Sequence, residues 1–299
     1  MWFFVAIIGY FLLAIVLLLD KIIVSESRVR PIVYTFYSTI IALPSLAVVP
    51  FLGNLSTEHW GVAILSGFTF GLGLWGTFHA LEHDEASHIG PFGGALIAVS
   101  IALLSFFVLR ETLSYGQVAG VTILVFASLL LSYEKTRGKA FHRGFFWAII
   151  AAIFFAVSHV SAKYLYELYP FALVLFATKG TVGFLGILCF FSSDVRQALR
   201  FVSTKKKKNL KQRHPFFLVA CDKVMGIAGV VLIQYAVSVG SVTLVNALAG
   251  VQYILLFFLV VFFTRFFPRI FREYITKREY AVQLVAVLLA ALGSVFVVL

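Results

Sequence analysis

Apolar runs of about 20 residues recur along almost the whole chain, and they constrain its fold more than any other feature. The composition agrees, since 61% of the residues are hydrophobic and 12% are charged. Strands of a transmembrane barrel would be about ten residues long with strict alternation, which these runs lack. The sequence therefore predicts an all-α integral membrane protein. The ten predicted spans are residues 2–22, 31–52, 60–80, 88–109, 114–133, 145–166, 170–191, 216–238, 242–264 and 279–299.

An internal repeat relates the two halves of the chain. The segment DEASHIGPFGGA, from Asp84 to Ala95, recurs in degenerate form as GSVTLVNALAGV, from Gly240 to Val251. In both copies an apolar helix ends at a few polar residues, a new apolar run begins, and small residues follow. Each copy therefore predicts a corner between two helices.

The corners also set the register of the other spans and hence the domain organisation. Read outward from them, five spans in residues 1–133 align with five in residues 145–299, and a basic linker, residues 134–144, joins the two units. The first and sixth spans align without a gap, with Asp20 and Lys21 opposite Ala162 and Lys163. Because five is odd, the second repeat is expected to be inverted relative to the first.

The basic residues predict the orientation. The formal net charge is +11, yet 20 of the 24 lysines and arginines lie in the loops after the first, fifth, seventh and ninth spans. No basic surface interleaved with aromatic residues accompanies them, so no nucleic-acid partner is expected. The positive-inside rule places these loops in the cytoplasm and both termini outside. The first span lacks a basic leader and a cleavage site, so we expect it to be retained as a helix. The expected location is a prokaryotic plasma (inner) membrane.

The longest loop contains a candidate lipid-binding segment. Val195, Leu199 and Val202 have helical spacing, and a tract of four basic residues follows them. An interfacial helix that leads into such a tract would bind anionic lipid headgroups. A solvated loop that merely sets the topology explains the same residues equally well. The lysines of the tract are Lys205, Lys206, Lys207 and Lys208.

Charged residues inside the predicted spans are the candidates for a binding site. Lys179 follows Pro170 by nine residues, which places it about 13 Å along a helix and near the middle of a ~30 Å hydrocarbon layer. A lysine there costs about 2.5–3.5 kcal/mol, so it should face a wet cavity or a charged partner. Asp222 and Lys223 are adjacent and are expected to point in different directions.

Two interpretations of Lys179 stay open: it lines a substrate cavity, or it forms a structural ion pair with Asp222. His159 is equally compatible with a hydrogen-bonded role in the core. The predicted substrate-binding residues are Lys179, Asp222, Lys223, His159, Trp75, Tyr10 and Asn246.

Neither a metal site nor an enzyme is predicted. The fourth span is preceded by acidic residues and histidines, but they fall at a water-exposed corner and lack a fixed ligand spacing such as HExxH. No P-loop is present, and no convincing nucleophile and base occur at membrane depth. We therefore expect no cofactor and no catalysis. The corner residues in question are Glu82, His83, Asp84, Glu85 and His88.

Three local patterns carry a resemblance to a known family. They are the corner with Ala80, Leu81, Ala86, Ser87 and Pro91, the turn Arg110-Glu111-Thr112-Leu113 with Gln117 and Gly120, and the spacing from Pro170 to Lys179. With the duplicated five-helix units, they resemble the EamA-type transporters of the drug/metabolite transporter superfamily. The second half departs from the pattern, because Ala247 replaces the corner proline and the tight turn is missing.

The resemblance implies a basket of helices whose central cavity opens to one side of the membrane at a time. It implies secondary-active transport of a small polar metabolite. Lys179 in the cavity would favour an anionic or zwitterionic one. Related transporters usually keep both termini in the cytoplasm, opposite to the orientation that the charges predict. The alternative function is a flippase for a lipid or a lipid-linked carrier on the same fold, which a laterally open groove lined by phenylalanines would favour.

Overall fold

The computed structural model describes residues 1–26, 30–83, 86–131, 143–204, 213–266 and 277–298. These residues form helices and contain no strand, as the apolar runs predicted. Eight helical spans among them are long and apolar enough to cross a membrane. The protein is therefore an all-helical, multi-pass membrane protein.

The helices follow the predicted spans closely. Eight predicted spans coincide with the eight candidate membrane spans, and the fifth and the tenth coincide with shorter apolar helices, Tyr115–Leu130 and Leu284–Val297. In chain order the helices are α1 (Trp2–Glu26), α2 (Pro31–Ile40), α3 (Val49–Leu52), α4 (Thr57–His83), α5 (Ala86–Val108), α6 (Tyr115–Leu131), α7 (Arg143–Leu168), α8 (Phe171–Thr181), α9 (Gly183–Phe190), α10 (Ser193–Thr204), α11 (Arg213–Val239), α12 (Val242–Ala247), α13 (Ala249–Phe266) and α14 (Lys277–Val298).

Three spans are interrupted, two of them near the middle and the third close to its start. A 3-10 segment, Leu43–Val48, separates α2 from α3, and its Pro44 cannot donate the backbone hydrogen bond of an α-helix. Val182 separates α8 from α9, and its N–H bonds to the carbonyl three residues back, at 3.3 Å. Leu248 separates α12 from α13. Such short 3-10 turns inside a span mark positions where the helix can bend.

The corner of the second half is present as predicted, with its own cap. The Ser241 side chain accepts a hydrogen bond from the Leu244 N–H, at 2.9 Å, at the start of α12. At the first corner α4 ends at His83 and α5 begins at Ala86, and the residues between them lie outside the described part of the chain.

Small residues let neighbouring helices approach closely. A Cβ at Gly76 in α4 would lie 3.0 Å from the Ala151 Cβ in α7. A Cβ at Gly120 in α6 would lie 2.8 Å from the Val297 backbone nitrogen in α14. Because these contacts include backbone atoms, the glycines act as packing points between helices.

The helix α10 packs against the helical core rather than lying apart from it. Val195 is fully buried in a cluster with residues of α2 and α9, and Arg30 forms an ion pair with Asp194. The lysines from 205 to 208, proposed to bind headgroups, lie outside the described residues, as does most of the predicted linker.

Candidate substrate cavity

A cavity of about 550 Å³ lies between α1, α2, α4, α5, α7, α8, α11, α12 and α13. Most of its wall is apolar, and a few polar side chains interrupt it. This volume and this composition are typical of sites for small molecules, in which a few polar groups fix the orientation of the ligand.

Six of the seven predicted site residues line this cavity: Tyr10, His159, Lys179, Asp222, Lys223 and Asn246. Trp75 does not. It lies on the face of α4 that turns toward α7, where its ring is 5.0 Å from His79 and 5.0 Å from Trp147. The neighbouring Leu74 and Phe78 line the cavity in its place.

Lys179 lies in the cavity wall about 12 Å from the start of α8 at ~1.5 Å per residue. Its Nζ is 3.8 Å from the centroid of the Phe70 ring, a cation–π contact. Among the described residues no carboxylate forms an ion pair with it and no acceptor forms a hydrogen bond. Within the described part of the chain, the Phe70 ring is therefore the one group that compensates its positive charge.

A hydrogen-bond chain lies beside this lysine. Tyr166 donates to Gln234 Oε1 at 3.1 Å, which leaves the Gln234 amide N–H₂ to donate to His159 Nδ1 at 3.2 Å. In this network His159 Nδ1 accepts, so a neutral imidazole carries its proton on Nε2. Gln234 and His159 both line the cavity and supply neutral polar groups there.

Gln234 was missed from the sequence, although a signal for it exists. It follows Lys223 by 11 residues in α11, which is close to three full turns of a helix, so the two side chains lie on one face. The face of α11 that contains Lys223 therefore predicts Gln234 as a site residue as well.

Four side chains form what we call the buried ion cluster: Asp20 of α1, Tyr34 of α2, and Asp222 and Lys223 of α11. The Tyr34 hydroxyl lies 2.6 Å from Asp20 Oδ1 and 3.0 Å from Asp222 Oδ2. Lys223 Nζ lies 2.8 Å from Asp222 Oδ2 and 3.0 Å from the Tyr34 hydroxyl. Asp20 and Tyr34 were not predicted site residues, although an aspartate inside an apolar run is itself a signal.

The buried ion cluster corrects two expectations about Asp222. Asp222 and Lys223 were expected to point apart, but the long, flexible lysine side chain reaches back to its neighbour. The structural alternative paired Asp222 with Lys179. Instead, the described partners of Asp222 are Tyr34 and Lys223.

Toward the opposite end of the cavity, hydrogen bonds join α12 and its flanking residues to other helices. Tyr10 donates to the Val245 carbonyl at 2.8 Å, and Lys163 donates to the Gly240 carbonyl at 3.0 Å. Thr243 donates to Glu111 Oε2 at 2.6 Å, so the turn after α5 is tied to α12 as well. Asn246 lines the cavity while its amide donates to the Val242 carbonyl.

No group of three or more potential metal ligands occurs among the described residues. Asp84 and Glu85, which belong to the acidic corner considered above, lie outside those residues. The absence of a metal at that corner stays a prediction.

Comparisons with known proteins agree with this architecture. Among 29 matching chains of solved structures, one crystal structure superimposes with a TM-score of 0.62 at 19% sequence identity and covers 99% of this chain and 98% of its own. This similarity shows a shared fold over the whole length. A search of curated proteins finds no match. The model of the EamA-like transporter family matches residues 1–133. The matched residues include the corner and turn motifs on which the resemblance to EamA-type transporters rests.

Proposed function

We propose that the protein is a secondary-active transporter that moves a small anionic or zwitterionic metabolite by alternating access through the central cavity. One observation carries the choice of substrate class. Lys179 lies in the cavity wall, far from either end of its span, and an aromatic ring is its described partner. A cation in such a place gains most from a ligand that brings a formal negative charge.

The neutral polar groups around the lysine support recognition of a second part of the ligand. His159, Gln234 and Asn246 line the same cavity. They can exchange hydrogen bonds with hydroxyl, amide or amine groups without adding charge. We propose that these residues and Tyr10 orient the ligand while Lys179 binds its anionic group, and that Asp222 and Lys223 adjust the potential of the cavity from α11.

The packing of the helices supports two inverted five-helix repeats. In the proposed alignment α1 corresponds to α7, and α4 corresponds to α11. The contact of α4 with α7 therefore corresponds to the contact of α11 with α1, and both are among the most extensive in the described structure. The fifth and tenth spans, α6 and α14, correspond to each other, so the repeat relates the contact between them to itself. Two equivalent halves can exchange their conformations, which would open the cavity to each side in turn.

We propose that the structure represents a state facing the cytoplasm. The cavity extends toward the end of α1 and the start of α11, next to the basic loops, while Tyr10 and Lys163 hold the other end closed. The positive-inside rule assigns the basic loops to the cytoplasm, and both termini then lie outside. Lys205, Lys206, Lys207 and Lys208 would contact anionic headgroups on the cytoplasmic side.

Transport by purified protein in liposomes tests the proposal. The panel comprises labelled amino acids, dicarboxylates, phosphate esters, amines and fluorescent lipids. We expect uptake or exchange of an anionic or zwitterionic solute that Lys179→Met reduces by about tenfold or more at a subsaturating solute concentration. Arg196→Gln is the matched control, because it removes an exposed charge outside the cavity and should leave transport unchanged. Scrambling of the lipids without movement of any solute would replace this proposal with a flippase.

A further inference from the structure

The buried ion cluster carries an imbalance of charge. Its two carboxylates, Asp20 and Asp222, face one ammonium group, Lys223. Asp222 is fully buried, and Asp20 is 8% exposed. With both carboxylates ionised the cluster has one net negative charge in a membrane-spanning region, where an uncompensated charge is costly.

The hydrogen bonds of the cluster leave one acceptor without a donor. Tyr34 has a single hydroxyl hydrogen, so it can donate to Asp20 or to Asp222 but not to both at once. Lys223 donates to Asp222 Oδ2 and to the Tyr34 hydroxyl. Asp222 Oδ1 is buried and has no hydrogen-bond partner among the described residues. A fully buried carboxylate oxygen in this condition leaves part of the negative charge of the cluster uncompensated.

We propose that the carboxylate pair of the buried ion cluster, Asp20 and Asp222, binds one exchangeable proton, and that this proton controls opening of the cavity at the cluster's end. The inference rests on the proposed function, since opening and closing matter only for a transporter. The step is simple protonation: one O–H bond forms at one oxygen of the carboxylate pair, hydronium in the cavity supplies the proton, water receives it back, and no electrons are transferred. The protonated cluster is neutral.

A proton fits this place better than a metal ion. Sodium or calcium needs several oxygen ligands around one point. Here Lys223 Nζ already lies 2.8 Å from Asp222 and 3.0 Å from Tyr34, so its charge would repel a second cation. Two close carboxylates that share one proton are a familiar arrangement that needs no extra volume.

The charged and titratable surroundings of the cluster come from several helices. Three members of the cluster surround Asp222: Asp20 comes from α1, Tyr34 from α2, and Lys223 from α11 itself. From α4 the neighbour is the Phe78 ring, 4.5 Å from the Tyr34 ring. Farther along the same cavity, α7 contributes His159, α8 contributes Lys179, and Tyr10 of α1 and Tyr253 of α13 line the wall.

The position of the cluster connects protonation to conformation. Asp20 and Tyr34 belong to the N-terminal half of the chain, and Asp222 and Lys223 belong to the C-terminal half. Asp20 and Lys223 still line the cavity in this structure, and closing this end would remove their remaining water, which favours the neutral, protonated form of the cluster. Opening returns water and allows the proton to leave. Proton binding and closure should therefore favour each other.

Infrared difference spectroscopy of the purified protein can detect the protonated carboxyl group without any solute. We expect the wild type to gain a carboxyl band as the pH is lowered, and Asp222→Asn to lack it. In Lys223→Met the band should persist at a pH where the wild-type band has gone, because two carboxylates then have no cation. Glu58→Gln, which removes an exposed carboxylate on α4, should keep the wild-type band. Melting temperatures establish that each variant is folded.

Cysteine labelling tests the effect on the cavity. In a background without Cys189 and Cys221, Gly226→Cys places a thiol in the cavity wall one turn from Asp222. The labelling rate at each pH is divided by the rate for the same cysteine with Asp222→Asn, which removes the pH dependence of the thiol itself. We expect this ratio to fall several-fold as the pH is lowered.

Three results would overturn the inference: a carboxyl band that survives Asp222→Asn, loss of the band on adding sodium ions at constant pH, or a labelling ratio that does not change with pH. Neither experiment uses a transported solute. A protein that passes both tests but moves no solute would refute the proposed transport and retain the proton site. A protein that transports but shows no band would refute the proton site alone.

Discussion

Replacing Lys179 with methionine should weaken binding of an anionic solute by about 10- to 150-fold without unfolding the protein. The reasoning starts from the ammonium group, which lies in the cavity wall with the Phe70 ring 3.8 Å away. A hydrogen bond to a charged group contributes about 1.5–3 kcal/mol, and each 1.4 kcal/mol changes the affinity about tenfold. The affinity for the solute that the transport panel identifies can be measured by ligand-induced thermal shift.

The same substitution should leave the free energy of unfolding unchanged or raise it. Methionine nearly matches the length of lysine and removes the cost of about 2.5–3.5 kcal/mol for a cation at this depth. The cation–π contact with Phe70 that is lost contributes about 0.5–2 kcal/mol. We therefore expect a melting temperature at or above that of the wild type.

A structural role for Lys179 would give the opposite pattern. If Lys179 and Asp222 were a buried ion pair, Lys179→Met would destabilise the protein by about 3–5 kcal/mol, and Asp222→Asn would partly rescue it. In the structure Asp222 is bonded to Tyr34 and Lys223 instead. The two substitutions should then have additive effects on stability. Rescue in the double mutant, or an unchanged affinity in Lys179→Met, would remove Lys179 from the site.

Three further predictions concern packing, closure and orientation. Gly120→Val should lower the melting temperature by an amount equivalent to about 1–3 kcal/mol, because its Cβ would meet backbone atoms of α14. Gly116→Val, whose Cβ would make only an ordinary contact of 3.8 Å with the Ser114 hydroxyl, should not, and equal effects would contradict the packing argument. Tyr10→Phe removes the bond to the Val245 carbonyl, which contributes about 1 kcal/mol, so labelling of a cysteine at Asn246 from that end should rise about fivefold. The exposed Tyr235→Phe should have no effect. A cysteine placed between Lys205 and Lys208 should stay unreactive to an impermeant reagent in intact cells, and its labelling would reverse the orientation.

The positions of the membrane-spanning helices could be predicted because a span is specified locally. Its length is set by the thickness of the hydrocarbon layer and its composition by the absence of water, and both are written in consecutive residues. The depth of Lys179 followed from the same counting, since Pro170 fixes the start of the helix. The interruptions at Val182 and Leu248 could not be predicted in this way, because nothing in the local apolar pattern forbids a continuous helix there.

The partners inside the cavity could not be predicted because they come from distant parts of the chain. Tyr34 bonds to Asp222 across a separation of 188 residues, and Tyr10 bonds to Val245 across 235. Which face of α4 meets the cavity is likewise a matter of packing, and it decides that Phe78 faces the cavity while Trp75 faces α7. Sequence reasoning identified Lys179, Asp222 and Lys223 as residues that need a partner but missed Asp20, and the fold determines which partner each one has.

Under the proposed repeat, a contact at one end of the cavity in this structure predicts which residue stabilises the opposite state. Lys163 bonds to the Gly240 carbonyl at the closed end. The alignment places Lys21 opposite Lys163 and Asp84 opposite Gly240. If the halves exchange conformations, Lys21 should stabilise the opposite state as Lys163 stabilises this one. Lys163→Met and Lys21→Met should then shift the accessibility of a cavity cysteine in opposite directions. A shift in the same direction for both would mean that the two halves are not interchanged during transport.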